Sequence, residues 1–366
     1  MKKFLCLMVV LGLTFFYGCQ IPVDNIEDNK TDPNPVSLEP DIQDSKADLK
    51  NRDKSTYENN EDIEKSENSE KENSTALESV EVAVCYRDSE GMIIPITRKI
   101  EKQEGIAKAV LRSMVDNEEN NLALKPFGLY TVLPQGTDIL GMNIKEGTAV
   151  VDFNDKVLEY NDKSEEKNII TSIVYSLTEF NTINSVKILV KGKQLEKLKY
   201  GTDISGDLNR DNILINSDKA NLAEKVKKVD IYLFKFINEK FEYILPVSME
   251  YIGVQQDKLP EEMIRLLSGK TYNEKLYSQM PPKVELISSK LEDGVLILNF
   301  NKEIRNYGGN AREAGILKQI IYTMKQIEGV KKIKILIEGK EGELPEGTDI
   351  SREILLPTDI NVLENS

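Results

Sequence analysis

Asp207, Asn209, Asp211 and Asp218 put side-chain oxygens at positions 1, 3, 5 and 12 of one short stretch, the spacing with which an EF-hand-type loop surrounds calcium. Leu214 occupies the usual apolar eighth position. Other features oppose the metal. Asn212 stands where the sharp turn wants glycine, Asp218 where a bidentate glutamate is preferred, and no helix pair flanks the segment. An Asx-rich turn between domains, with Asp and Asn side chains bonded to nearby backbone, accounts for the same residues. The sequence assigns no catalytic residue, cofactor or metal, and Asp207, Asn209, Asp211 and Asp218 stand as a calcium candidate of low specificity.

The other chemistry-bearing residues form looser patterns. Gly-Thr-Asp occurs at Gly136, Gly201 and Gly347 without the longer glycine-rich contexts that cradle phosphate, so these pieces read as turns and strand starts. Ser164 and Lys167 have the Ser-x-x-Lys spacing of penicillin-binding proteins but lack the companion motifs, and read as a helix start. The chain has no histidine and no tryptophan, which removes imidazole bases, Ser/His and Cys/His pairs and His-containing zinc sites. A glycosidase needs only two carboxylates. Asp152, at a strand end beside a polar loop, is the best-placed acid, with no second acid singled out by pattern.

The elements that must position these residues come twice. AVVDFN (Ala149 to Asn154) returns as LILNFN (Leu296 to Asn301), and KILVKGK (Lys187 to Lys193) returns as KILIEGK (Lys334 to Lys340), with no gap between the paired blocks. Between them Ile169, Ile170, Ile173, Val174, Leu177 and Phe180 match Ile316, Leu317, Ile320, Ile321, Met324 and Ile327 at helical spacing. Asn299 therefore stands in place of Asp152 and Ala314 in place of Lys167, which argues against either as a catalytic group. Tyr160 and Tyr307 correspond in the loop before this helix, and Tyr175 and Tyr322 within it. Packing is their default role, and an exposed one would suit an interface.

Around these repeats the chain divides into four parts. Residues 1–19 begin with Lys2 and Lys3, run through the apolar Phe4 to Phe16 and end at Gly18-Cys19, the layout of a secretion signal. Residues 20–78 are polar, acidic and without periodicity, and read as a disordered linker. The first copy spans 79–218 and the second 226–358. With 62 acidic against 48 basic side chains the net charge is −14, which argues against a nucleic-acid backbone as partner. Cys85, in an alternating strand and matched to Phe234 in the second copy, reads as a small packing residue.

Each copy is expected to run β-β-α-β-β-α-β. The first pair of strands is Val80 to Tyr86 with Met92 to Ile96. A helix over Gly105 to Val115 leads to a hairpin closed by Glu146-Gly147 or Asp293-Gly294. Asn310-Ala311-Arg312-Glu313 has the form of a capping box at the start of the second copy's long helix. The fold class is α+β, with two helices on one face of a small, mainly antiparallel sheet in each copy.

These features resemble the GerM family of sporulation and germination lipoproteins, whose mature part is a tandem pair of GerMN domains. Val150 to Asn154 with Leu298 to Asn301, Ile173 to Phe180 with Ile320 to Ile327, and the two KIL strands carry the likeness. It implies a ring-building-motif fold and acylation of Cys19. It also implies a place on the outer face of the cytoplasmic membrane, in sporulating cells between mother-cell and forespore membranes. The role it implies is a non-enzymatic scaffold that assembles or positions an envelope complex, with envelope proteins or a second copy of the chain as partners. A ligand-binding or sensing module for peptidoglycan fragments or germinants, using a cleft between the copies, is the alternative reading. A cell-wall hydrolase is the third.

Overall fold

The computed structural model describes residues 79–363 apart from 104, 218, 220–225 and 270–272. The signal segment, Cys19, the polar stretch to residue 78 and Asp218 lie outside the described residues.

In the first copy the alternating run makes strand β1 (Ser79–Arg87), which forms an antiparallel hairpin with β2 (Ile93–Glu101), Cys85 facing Pro95. Asp88 shapes its turn by accepting hydrogen bonds from the N–H groups of Glu90 and Met92 at 2.8 and 2.9 Å. Helix α1 (Ile106–Ser113) buries Ala107, Val110 and Leu111. A further helix, α2 (Glu118–Leu124), was not foreseen. Its EENNLAL sequence carries no apolar stripe, and its start is set by Asn117, whose side chain accepts the Asn120 N–H at 2.8 Å.

Strands β3 (Ile139–Lys145) and β4 (Thr148–Phe153) follow, joined through Glu146 and Gly147 with φ of 52° and 80°, as a type I′ turn requires. Helix α3 (Lys163–Leu177) then carries the chain to β5 (Ser185–Val190), which lies parallel to β4, and a short β6 (Lys193–Gln194) closes the edge. The sheet order is β3-β4-β5-β6, and the β1-β2 hairpin makes its own ladder. Because α3 packs against both β1 and β5, it is buried nearly all round, from Ile169 to Leu177. Along β4, Ala149, Val151 and Phe153 are buried and alternate with half-exposed Thr148, Val150 and Asp152, so the sheet has one covered and one open face.

The second copy repeats the plan with β7 (Lys227–Ile237), β8 (Phe241–Tyr251), α4 (Leu259–Leu267), β9 (Leu286–Glu292), β10 (Val295–Phe300), α5 (Asn310–Met324), β11 (Lys332–Ile337) and β12 (Ile354–Leu355). Its sheet order β9-β10-β11-β12 matches the first, with β10 and β11 parallel. Each copy has its own core, in which Phe153 and Phe300 are fully buried, worth roughly 2–3 kcal/mol apiece. The α+β class and the tandem duplication are as the sequence indicates.

Two local expectations are corrected. The capping box at Asn310 to Glu313 does not form: Gly309, with φ of 94°, precedes the helix and no side chain caps it. Glu313 is buried and turns to other donors. Nor is Phe234 the counterpart of Cys85. Cys85 lies opposite Pro95 and gives its N–H to Ser176, as Tyr232 lies opposite Pro246 and gives its N–H to Thr323. A strand pattern of period two looks alike at every second residue, so periodicity cannot fix this register.

Candidate functional site

Built up from its residues, the repeated motif is a set of backbone braces. Asp152 accepts the Gly192 N–H at 2.8 Å, and Asn299 accepts the equivalent Gly339 N–H at 2.8 Å. Either residue supplies the one oxygen this turn needs, which explains the exchange of acid for amide. Asn154 accepts the Asp138 N–H and donates to the Gly136 carbonyl at 3.1 and 2.8 Å, while Asn301 does the same to Glu285 and Lys283 at 3.3 and 2.9 Å.

Glu166 and Glu313, at equivalent places in α3 and α5, hold the Gly-Thr-Asp loops. Glu166 accepts the N–H groups of Tyr200 and Thr202 at 2.7 and 3.0 Å. Glu313 accepts those of Glu346 and Thr348 at 2.8 and 3.1 Å, with the Tyr307 hydroxyl at 2.7 Å and the Thr348 hydroxyl besides. Burial alone would raise both carboxyls, but the hydrogen bonds, led by Thr202 and Thr348, outweigh it and hold both below the ordinary glutamate value. They are structural anions and not proton donors. Neither glutamate was singled out as such from the sequence, although their identity at matched repeat positions is a signal that could have found them.

Of the remaining candidates, Asp207, Asn209 and Lys167 are held by neighbouring groups, and Asp218 lies outside the described residues. Asn209 accepts from the N–H groups of Asp211 and Asn212 at 2.9 and 3.1 Å, Asn212 donates to the Asp207 carbonyl at 2.8 Å, and Asp207 pairs with Lys187 at 3.1 Å. This is Asx-turn geometry, and among the described residues no group of three or more acidic or sulfur ligands converges on a metal position. Lys167 reaches the carbonyls of Ser217 and Lys219 at 2.7 and 2.9 Å, while Ser164 gives its N–H to Asp162. Cys85 is buried, which pushes its thiol up to about 12.

What the elements do bring together is the junction between the copies. Asn216 accepts the Ile93 N–H at 2.7 Å and donates to the carbonyls of Ile93 and Pro246 at 2.7 and 2.9 Å. Beside it Ile215 exchanges bonds with Ser248, as Ile360 does with Thr97 across the junction. The end of each copy thus adds to the hairpin of the other. Tyr175 of α3 donates to Asp230 of β7 at 2.6 Å, and Lys228 and Ser248 complete a buried network around that carboxylate at 2.9 and 2.7 Å. Arg210, carried by the Asx turn, reaches the Tyr175 carbonyl at 2.9 Å and pairs with Glu179. At the centre lies a void of about 10 Å³, lined by Cys85, Tyr175, Arg210 and Tyr232 among others.

A family model described as "Sporulation and spore germination", Germane, matches residues 83–196 and 231–343, one match to each copy. The chain belongs to the Germane family. Spore germination protein GerM of Bacillus subtilis (strain 168) is 28% identical over 284 residues, covering 75% of this chain and 76% of that protein. A solved structure of the tandem GerMN domains of the sporulation protein GerM from Bacillus subtilis aligns with a TM-score of 0.68 at 27% identity, over 77% of this chain and 99% of that one. These relatives are named for sporulation and germination, and not for an enzyme activity.

On both Germane copies the outer strands β3 and β9 are unpaired edges among the described residues. Leu140 and Ile144 are 52% and 43% exposed, and their counterparts Ile287 and Leu291 are 56% and 42% exposed. The tyrosines, by contrast, look inward: Tyr160, Tyr175 and Tyr322 are buried. Tyr175 anchors the junction inside the molecule and not an outer surface. No helix among the described residues is long and apolar enough to cross a membrane.

Proposed function

We propose that this Germane protein is a non-enzymatic scaffold of sporulation and germination, held by lipid on Cys19 at the outer face of the cytoplasmic membrane. There it assembles or positions an envelope complex between mother cell and forespore, offering the β3 and β9 edges to protein partners. The observation that carries this reading is the equal service of Asp152 and Asn299 at one backbone N–H each. The acid best placed for hydrolysis does a job that an amide does as well. A ligand-binding or sensing module is the second reading, and beside the central void of about 10 Å³ a cavity of about 740 Å³ lined by Asn216 and Ser217 of the first copy and Ser248 and Tyr251 of the second is where it would act.

The test separates anchoring from chemistry. A Cys19→Ala chain is expected to leave the membrane fraction and to lose its role in sporulation, and Asp152→Asn to keep both. A single carboxylate exchange that abolished the role in a folded, membrane-held protein would overturn the scaffold reading.

A further inference from the structure

Asp88 and Lys235 occupy equivalent positions in the two copies. Each directly follows the residue, Arg87 or Phe234, that exchanges backbone hydrogen bonds with Tyr130 or Tyr277. The two side chains form an ion pair across the junction with only 2% and 5% of their side-chain surface exposed. In a two-fold arrangement a residue that meets its own counterpart lies at the axis. An unduplicated ancestor of such an interface would set like against like there, whereas this chain sets acid against base.

We propose that the junction face is a pairing surface coded for unlike copies, so that a first copy accepts a second copy and rejects another first copy. Three contacts enforce the code. Two first copies would bury Asp88 against Asp88, and two second copies Lys235 against Lys235, each an uncompensated like-charge pair. Cys85 and Tyr232, equivalent in position, share the wall of one small void with Pro95 and Pro246. Small beside large fills it, while two cysteines would leave a hole and two tyrosines would collide. Finally, Tyr175 finds Asp230 at 2.6 Å, whereas its counterpart Tyr322 clusters with Ala83, the residue equivalent to Asp230. A pair of first copies would set Tyr175 on Ala83 and leave its buried hydroxyl without that acceptor. The occupant this face recognises is thus the Lys235-bearing hairpin of a second copy, in the same chain or in another. Outside partners are left to the sheet edges. This inference rests on the junction alone and stands apart from the scaffold reading.

The experiment cuts the full folded chain at a protease site placed within residues 220–225, between the copies, and follows the halves by gel filtration and native mass spectrometry. Wild-type halves are expected to stay together as one unlike pair, with like pairs at least tenfold rarer. Lys235→Glu, which buries acid against acid, is expected to separate the halves. Lys235 also pairs with Glu90 at 2.6 Å, so Asp88→Asn/Glu90→Gln/Lys235→Glu is the variant expected to rejoin them: Asn keeps the turn acceptor, and both acids that face residue 235 are then neutral. Like pairs of wild-type halves at comparable abundance would overturn the proposal, as would Lys235→Glu halves that remain paired. Circular dichroism of the uncut variants separates misfolding from lost pairing. If Lys235→Glu does not fold, the wild-type distribution of like and unlike pairs decides alone.

Discussion

Asn216 and Asn361 make the same clamp in opposite senses. Asn216 is fixed to both polar groups of Ile93 and bridges to Pro246, and Asn361 is fixed to both polar groups of Ile244 and bridges to Pro95. Both hold a left-handed backbone, with φ of 51° and 48°, which asparagine tolerates better than most residues. Asn216→Ala and Asn361→Ala each strand one N–H and two carbonyls and strain the backbone. Each is expected to cost about 2–4 kcal/mol, and because they grip one interface their combined effect should depart from the sum. Urea denaturation of the two singles and the double measures this. A neutral result for either single would remove the clamp from the account.

The turn brace at Asp152 predicts tolerance. Asp152→Asn and Asn299→Asp keep the accepting oxygen for Gly192 and Gly339, and each is expected to change stability by no more than about 0.5 kcal/mol. Asp152→Ala loses the acceptor and should cost about 1 kcal/mol. Thermal unfolding of the three variants separates the cases. If the amide were as damaging as alanine, the carboxylate charge would have a use that the turn does not explain.

How much of this was legible beforehand follows from what sequence patterns encode. The duplication, the β4-α3-β5 unit and its partner, and the turns at Glu146-Gly147 and Asp293-Gly294 rest on local periodicity and turn chemistry, and could be read directly. Helix α2 could not, because a single side-chain cap at Asn117 and packing at Leu124 hold it without a stripe. The junction was also out of reach. Asn216 and Asn361 act on strands more than 100 residues from one end of each bridge, and a polar residue in a linker looks the same whether it faces water or a distant carbonyl. Sequence patterning ends the second copy at residue 358, just before Ile360 and Asn361. Comparing the ends of the two copies for a shared Ile-Asn pair would have exposed the clamp.

Glu166 and Glu313 give the fold an acid limit. Their folded values lie below the 4.5 of a free glutamate, since the hydrogen bonds outweigh the burial that opposes them. A depressed carboxyl binds fewer protons folded than unfolded. Its stabilising contribution is therefore complete above the unfolded value and fades as pH falls through the lowered one. Stability is expected to drop as pH falls from the ordinary glutamate value through the lowered one, and Glu166→Gln or Glu313→Gln should flatten that drop while lowering stability at neutral pH. Denaturation midpoints across this range, compared with wild type, provide the check. An unchanged slope in both variants would mean that other carboxylates set the limit.

Cys85 turns the junction into something a reagent can report. Cys85 is 3% exposed, burial pushes its thiol up to about 12, and it lies on the void shared with Tyr232 and Pro246. Modification needs both access and thiolate, so in a Cys6→Ala/Cys19→Ala chain, whose one thiol is Cys85, a thiol reagent at about pH 8 is expected to leave the native protein unlabelled and to label it fully in denaturant. Lower concentrations of urea should separate two routes. If the copies part before their cores melt, labelling will begin while far-ultraviolet circular dichroism is still native, and Asn216→Ala or Asn361→Ala will speed it several-fold. If labelling instead tracks the loss of secondary structure in every variant, the junction opens only with global unfolding, and the two copies behave as one cooperative unit.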